Sequence, residues 1–97
     1  MRVKYELPGN PEMLVVHVSH KLHDCQYSLE FMSSNSGKLF CRAIMKAIGV
    51  NGIHTIHPHE ITVCRSHVHG NTEIMANIAA AVAKHFGIPL SSIEYIK

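Results

Sequence analysis

The sequence predicts an α+β domain: a mostly antiparallel sheet with two helices packed on one face. Three observations carry this. Strand signals dominate the first third, with alternation at Arg2 to Glu6 and β-branched residues crowded into Met13 to Ser19. Two later stretches, around Lys38 to Ile48 and Glu73 to Phe86, change to helical spacing. Between them, Pro58-His59 joins two short runs that read as a hairpin. Helices with one apolar stripe need a sheet face to cover, and the strands supply it.

Taken in order, Arg2 to Glu6 is a short strand. Pro8-Gly9-Asn10-Pro11 breaks the chain, because two prolines fix the backbone and the glycine permits a turn. Met13 to Ser19 reads as a central strand, and His20 to Asp24 as a loop. Cys25, Tyr27, Leu29 and Phe31 alternate with polar residues, which predicts a half-buried strand pairing with the central one. Ser33-Ser34-Asn35-Ser36-Gly37 offers side chains that accept from free helix N–H groups, so a helix starts there. Leu39, Phe40, Ala43, Ile44, Ala47 and Ile48 form its apolar stripe, Lys38, Arg42 and Lys46 a basic stripe, and Gly49 the stop. Gly52 to His57 and Glu60 to Ser66 are the hairpin strands. Asn71 or Thr72 caps a second helix, in which Ile74, Ile78, Val82 and Phe86 recur every four residues and alanines raise the propensity. Gly87 and Pro89 end it. Ser92 to Ile96 fits either an edge strand or a short extension.

A chain of 97 residues makes one domain, 1–97, with one core and much wet surface. An apolar fraction of 46% with 16% charged residues argues against disorder. A formal charge of +2 is too small to argue for nucleic acid as a partner. No run approaches the length of a membrane span, and the start lacks the apolar region of a secretory signal. Cys25, Cys41 and Cys64 are odd in number and widely spaced, which predicts reduced thiols and a cytoplasmic location.

The stretches Asn10-Pro11-Glu12-Met13-Leu14, the helix through Ile48, Gly49-Val50, Ile53 to Ile56, Pro58 and Ile61-Thr62-Val63 resemble, in order and spacing, the N-terminal domain of Nfu and NifU-like iron–sulfur scaffold proteins. The resemblance runs from about Leu7 to Phe86. It implies an accessory domain that contacts the iron–sulfur assembly machinery. Those scaffolds hold the cluster in a separate domain with a Cys-x-x-Cys motif, and this chain has no such motif. Cluster ligation is therefore not carried over, and the expectation is a non-enzymatic protein-interaction domain. Its expected contact surface is Lys38, Arg42 and Lys46 with the turn at Pro58.

The alternative is a metal-binding module for zinc, copper or iron. Nine histidines are unusual for this length, and His57-Pro58-His59 and His67-Val68-His69 are each His-x-His. Strand geometry puts His59 and His67 roughly 25 Å apart, so both pairs meet only across a dimer or an irregular backbone. His17, His20, His23 and Cys25 match no zinc spacing. A three-residue turn would set His54 opposite Cys64, a two-residue turn opposite Val63. A Cys–His dyad there lacks a third orienting group, and a buried inert thiol is the expectation. Cys41 is expected to pack in the core. Ser36-Gly37-Lys38 lacks the upstream glycine of a phosphate loop.

Overall fold

Five strands form one sheet in the order β3-β4-β2-β1-β5 in the structure, a computed structural model describing residues 1–96. Strand β1 (Arg2–Glu6) pairs antiparallel with β2 (Met13–Val18), placing Val3 opposite Val18. On its other side β2 pairs antiparallel with β4 (Glu60–Arg65), Leu14 opposite Val63. Strand β3 (Val50–His57) closes a hairpin with β4, His57 opposite Glu60, so Pro58-His59 is a two-residue turn. The short β5 (Glu94–Tyr95) lies parallel to β1 and makes the far edge. The sheet is thus mostly antiparallel, and the C-terminal segment supplies an edge strand.

Register parity decides which face is core. Leu14, Val16 and Val18 of β2, Ile61 and Val63 of β4, and Ile56 of β3 all point to one side and are buried. They meet Phe40 and Ile44 of α2 (Asn35–Met45) and Ile74, Ile78 and Val82 of α3 (Asn71–Phe86). Each such side chain contributes about 1.5–3 kcal/mol when fully buried. The alternate residues, among them Met13, Val15 and His17, point to the other face and are half-buried.

The expected strand at Cys25 to Phe31 is instead a short helix, α1 (Ser28–Ser33), so three α-helices cover the sheet rather than two. Central strand β2 takes β1 and β4 as its neighbours. The alternation there does not report burial. Only Phe31 of α1 is buried, while Tyr27 and Leu29 are largely exposed. Tertiary contact sets this segment: the Phe31 ring stacks on His23 with centroids 4.1 Å apart and tilts against Phe40 at 6.1 Å.

Helices α1 and α2 meet at Ser34. Its backbone is extended, its N–H bonds to the Phe31 carbonyl, and its hydroxyl accepts from the Gly37 N–H at 3.0 Å. Helix α2 accordingly begins at the expected serine cluster, three residues before Lys38. It ends at Met45, and the chain then turns through Gly49, whose φ of 100° suits only glycine. Helix α3 starts after Gly70, not after Asn71 or Thr72; the Asn71 amide oxygen accepts from Arg65 instead. Gly87, at φ 69°, ends α3, with Ile88 N–H bonding back to the Ala83 carbonyl at 2.8 Å.

Candidate functional site

The histidines are mostly occupied within the fold. His23 is buried, and its Nε2 lies 2.7 Å from the Ile56 carbonyl while Nδ1 accepts from the Cys25 N–H at 3.1 Å. Those partners assign the neutral ring with its proton on Nε2. His20 packs on Phe86 and His85 on Phe40. His17 stands on the open face of the sheet between two carboxylates, Nε2 at 2.7 Å from Glu6 and Nδ1 at 3.6 Å from Glu60. His17 and His20 therefore sit apart from His23 and Cys25, which meet through the Cys25 N–H and the His23 ring.

The two His-x-His pairs are likewise dispersed. His57 ends β3, exposed, and His59 sits in the turn, its Nδ1 3.1 Å from the Val18 carbonyl. His67 faces Glu12 at 3.1 Å and His69 faces Glu73 at 2.8 Å, in the loop between β4 and α3. Among the described residues, no three His, Cys, Asp or Glu side chains are arranged to hold a metal ion. The Pro58 turn acts as a clasp: the Pro58 carbonyl accepts from Leu22 N–H at 2.7 Å and the His59 carbonyl from Val18 N–H at 2.9 Å.

The thiols are equally scattered. Gly52, not His54, lies opposite Cys64, because register shifts in β3 put Ile53 opposite Val63 and skip His54. Cys41 is half-buried beside the core, and burial pushes its thiol above the ordinary range. Gly37 is not in a loop; it is buried in the first turn of α2 against α1. In the loop before α1, at the exposed Asp24, hydrogen bonding from Lys21 at 2.6 Å holds the carboxyl below the ordinary carboxylate range.

The remaining feature is the outer surface of the helices. Four residues overshoot one helical turn by about 40°, so a spacing of four winds around the axis. Lys38, Arg42 and Lys46 therefore do not share one site. Lys38 and Arg42 flank a shallow depression with Asn35 and Leu39. Lys46 stands at the rim of a groove of about 530 Å³ between α2 and α3. Pro58 belongs to neither.

Alanines line much of the groove, Ala43 from α2, Ala47 from the turn after it, and Ala80 and Ala81 from α3, with Ile48 beside them. Lys84 and His85 stand on the α3 side, opposite Lys46. Asn77 Nδ2 donates to the Ile48 carbonyl at 3.0 Å and ties the two walls together. Helix α2 contains no acidic residue, and α3 has only Glu73, in its first turn. Among the described residues, Lys38, Arg42, Lys46 and Lys84 take part in no ion pair; of the carboxylates, Glu6, Glu12, Asp24, Glu60 and Glu73 have partners elsewhere, while Glu30 of α1 and Glu94 of β5 have none.

Sequence reasoning missed the α3 half of this surface. The alanines of α3 read only as helix formers, and Lys84 lies outside the basic stripe. The available signal was the pair Ala43 and Ala47, four apart on the flank beside Lys46. The chain has no match among protein-family models, curated proteins or solved structures.

Proposed function

We propose that this chain is a non-catalytic docking domain whose helical face receives an acidic segment of another protein. The observation behind the reading is charge placement. Lys38, Arg42, Lys46 and Lys84 ring the outer surface of α2 and the last turn of α3 without an ion-pair partner among the described residues. Leu39, Met45 and Ile48 lie exposed among them, at 58%, 45% and 63%. Exposed aliphatics beside unpaired cations suit an interface that is apolar in the middle and charged at the rim.

The likeness to Nfu N-terminal domains supplies the class of partner, the iron–sulfur assembly machinery, which this domain would contact without ligating a cluster. Affinity capture from the source cell tests both parts. The wild-type chain should retain an assembly protein, and a Lys38→Glu/Arg42→Glu/Lys46→Glu variant of unchanged stability should lose it. Equal capture by both would sink the basic-face reading. Capture without any iron–sulfur protein, together with unaltered cluster-enzyme activity after gene deletion, would sink the assembly assignment. Metal analysis of untagged protein addresses the histidine-based alternative, which requires stoichiometric zinc, copper or iron.

A further inference from the structure

We infer that the groove between α2 and α3 is the seat of an amphipathic helix from the partner, with small apolar side chains on its inner ridge and carboxylates along both flanks. The inference rests on the docking reading above and narrows it to one place and one kind of ligand.

The floor argues for a helical ridge. Four single-methyl side chains, Ala43, Ala47, Ala80 and Ala81, leave open the cleft that longer residues would fill. A third helix can settle into the cleft between two others at ordinary interaxial distances of about 8–10 Å. Small residues on the incoming ridge permit that approach.

The backbone argues against an extended peptide. The α3 wall is helical and bonds its backbone internally; on the other side the groove runs past the end of α2 into the turn 46–49, where Lys46 N–H bonds to the Arg42 carbonyl, Ala47 N–H to the Ile44 carbonyl, and the Ile48 carbonyl accepts from Asn77. The groove thus presents no row of free backbone groups for a strand to pair with, whereas a helix brings its own backbone already satisfied. The Asn77–Ile48 bond fixes the separation of the walls before any ligand arrives, which lowers the ordering cost on binding.

Charge selects the flanks. Lys46 rises on one side and Lys84 on the other, so an occupant meets a cation along each edge. Lys38 and Arg42 extend the positive field beyond the groove and attract acidic ligands during approach. A second copy of this chain docking through the same groove would set like charges against each other. Nucleic acid is disfavoured, because the lining has no Phe, Tyr or Trp on which a base can stack, and the His85 ring is engaged with Phe40 and Phe86.

The experiment is a titration of the whole 15N-labelled chain followed by amide shifts. The main probe is a synthetic peptide of roughly 18 residues, long enough for five turns, with Ala and Leu on one stripe and Glu on both flanks. Controls are a scrambled peptide of the same composition, a version with Lys in place of Glu, and a single-stranded oligonucleotide. The expected result is saturable shifts at Ala43, Ala47, Ala80 and Ala81 with the main probe. Affinity should fall at least about tenfold with Lys46→Glu/Lys84→Glu and with Ala80→Leu, which fills the floor without entering the core.

Equal binding of the scrambled peptide, or shifts confined to Lys38 and Arg42, would overturn the helix-in-groove inference and leave the acidic-partner reading standing. Failure of both acidic peptides to bind would overturn the inference and that reading together. Preference for the Lys peptide or the oligonucleotide at the groove would do the same.

Discussion

A methyl group added at Gly37 would overlap the carbonyl oxygen of Phe31, because α1 ends directly against the first turn of α2. Backbone stands on both sides of this contact, so relief requires the two helices to separate. Gly37→Ala should cost about 2–3 kcal/mol by urea denaturation, whereas Gly9→Ala, with open space around it, should be near neutral. Equal effects at both positions would contradict this close approach. His23 illustrates a side chain working as a structural joint. His23→Phe keeps an aromatic ring to stack on Phe31 but leaves the Ile56 carbonyl and the Cys25 N–H without their partner. The expected loss is about 2 kcal/mol, and a variant as stable as wild type would show those bonds to be dispensable. For Cys41, burial favours the neutral thiol over the thiolate, raising its pKa from the usual 9.0. Thiolate is the reactive form, so alkylation of Cys41 should be slow at pH 7 and should keep rising beyond pH 9. A labelling rate that levels off below pH 9 would argue against a raised value.

Among the elements, β3 is a sheet edge, and its exposed peptide groups invite pairing with other chains. The fold closes that edge at Ile56. Ser28 Oγ accepts from its N–H at 2.7 Å, and His23 Nε2–H donates to its carbonyl at 2.7 Å. Ser28→Ala therefore frees an edge N–H. It should lower stability by about 1 kcal/mol and increase concentration-dependent association, read by light scattering. Unchanged scattering and stability would mean that the clip is idle. The same clip explains why α1 was illegible in the sequence. Helices α2 and α3, strand β2 and the hairpin were legible because each carries several periodic apolar residues that end up in the core. The six residues of α1 bury one side chain, Phe31. Their conformation follows from Ser28 reaching β3, Phe31 reaching His23 and Ser34 capping the next helix, all contacts made by folding. Local alternation at Cys25, Tyr27, Leu29 and Phe31 had no sheet neighbour behind it.

Over the whole molecule, the regions differ in their carboxylates more than in their cations. The paired carboxylates occupy the open sheet face, where Arg2 and Lys4 also stand, the loops at its ends and the first turn of α3, while the outer surface of α2 and the end of α3 carry cations and no carboxylate. The basic half of the candidate site was readable from a spacing of four along one helix. The groove was not, because which helix lies beside α2 is decided by sheet topology, and Lys84 meets Lys46 only after α3 packs. The histidine excess was readable as composition, but where each ring goes was not: His23, His59, His67 and His69 each answer a different group in a different part of the fold. This charge division makes a separable prediction about salt. Attraction between the exposed cations and an acidic helix is screened once the Debye length falls from about 14 Å to about 4 Å, between roughly 0.05 and 0.5 M salt. Binding of the Glu-flanked peptide should then weaken by about tenfold or more, chiefly through slower association. Folding stability should change little over the same range, because the core is apolar and the Lys21–Asp24 ion pair is exposed. Stopped-flow association and urea denaturation on the same samples separate the two effects. An association rate indifferent to salt would remove the electrostatic basis for choosing an acidic partner, whatever the stability curves show.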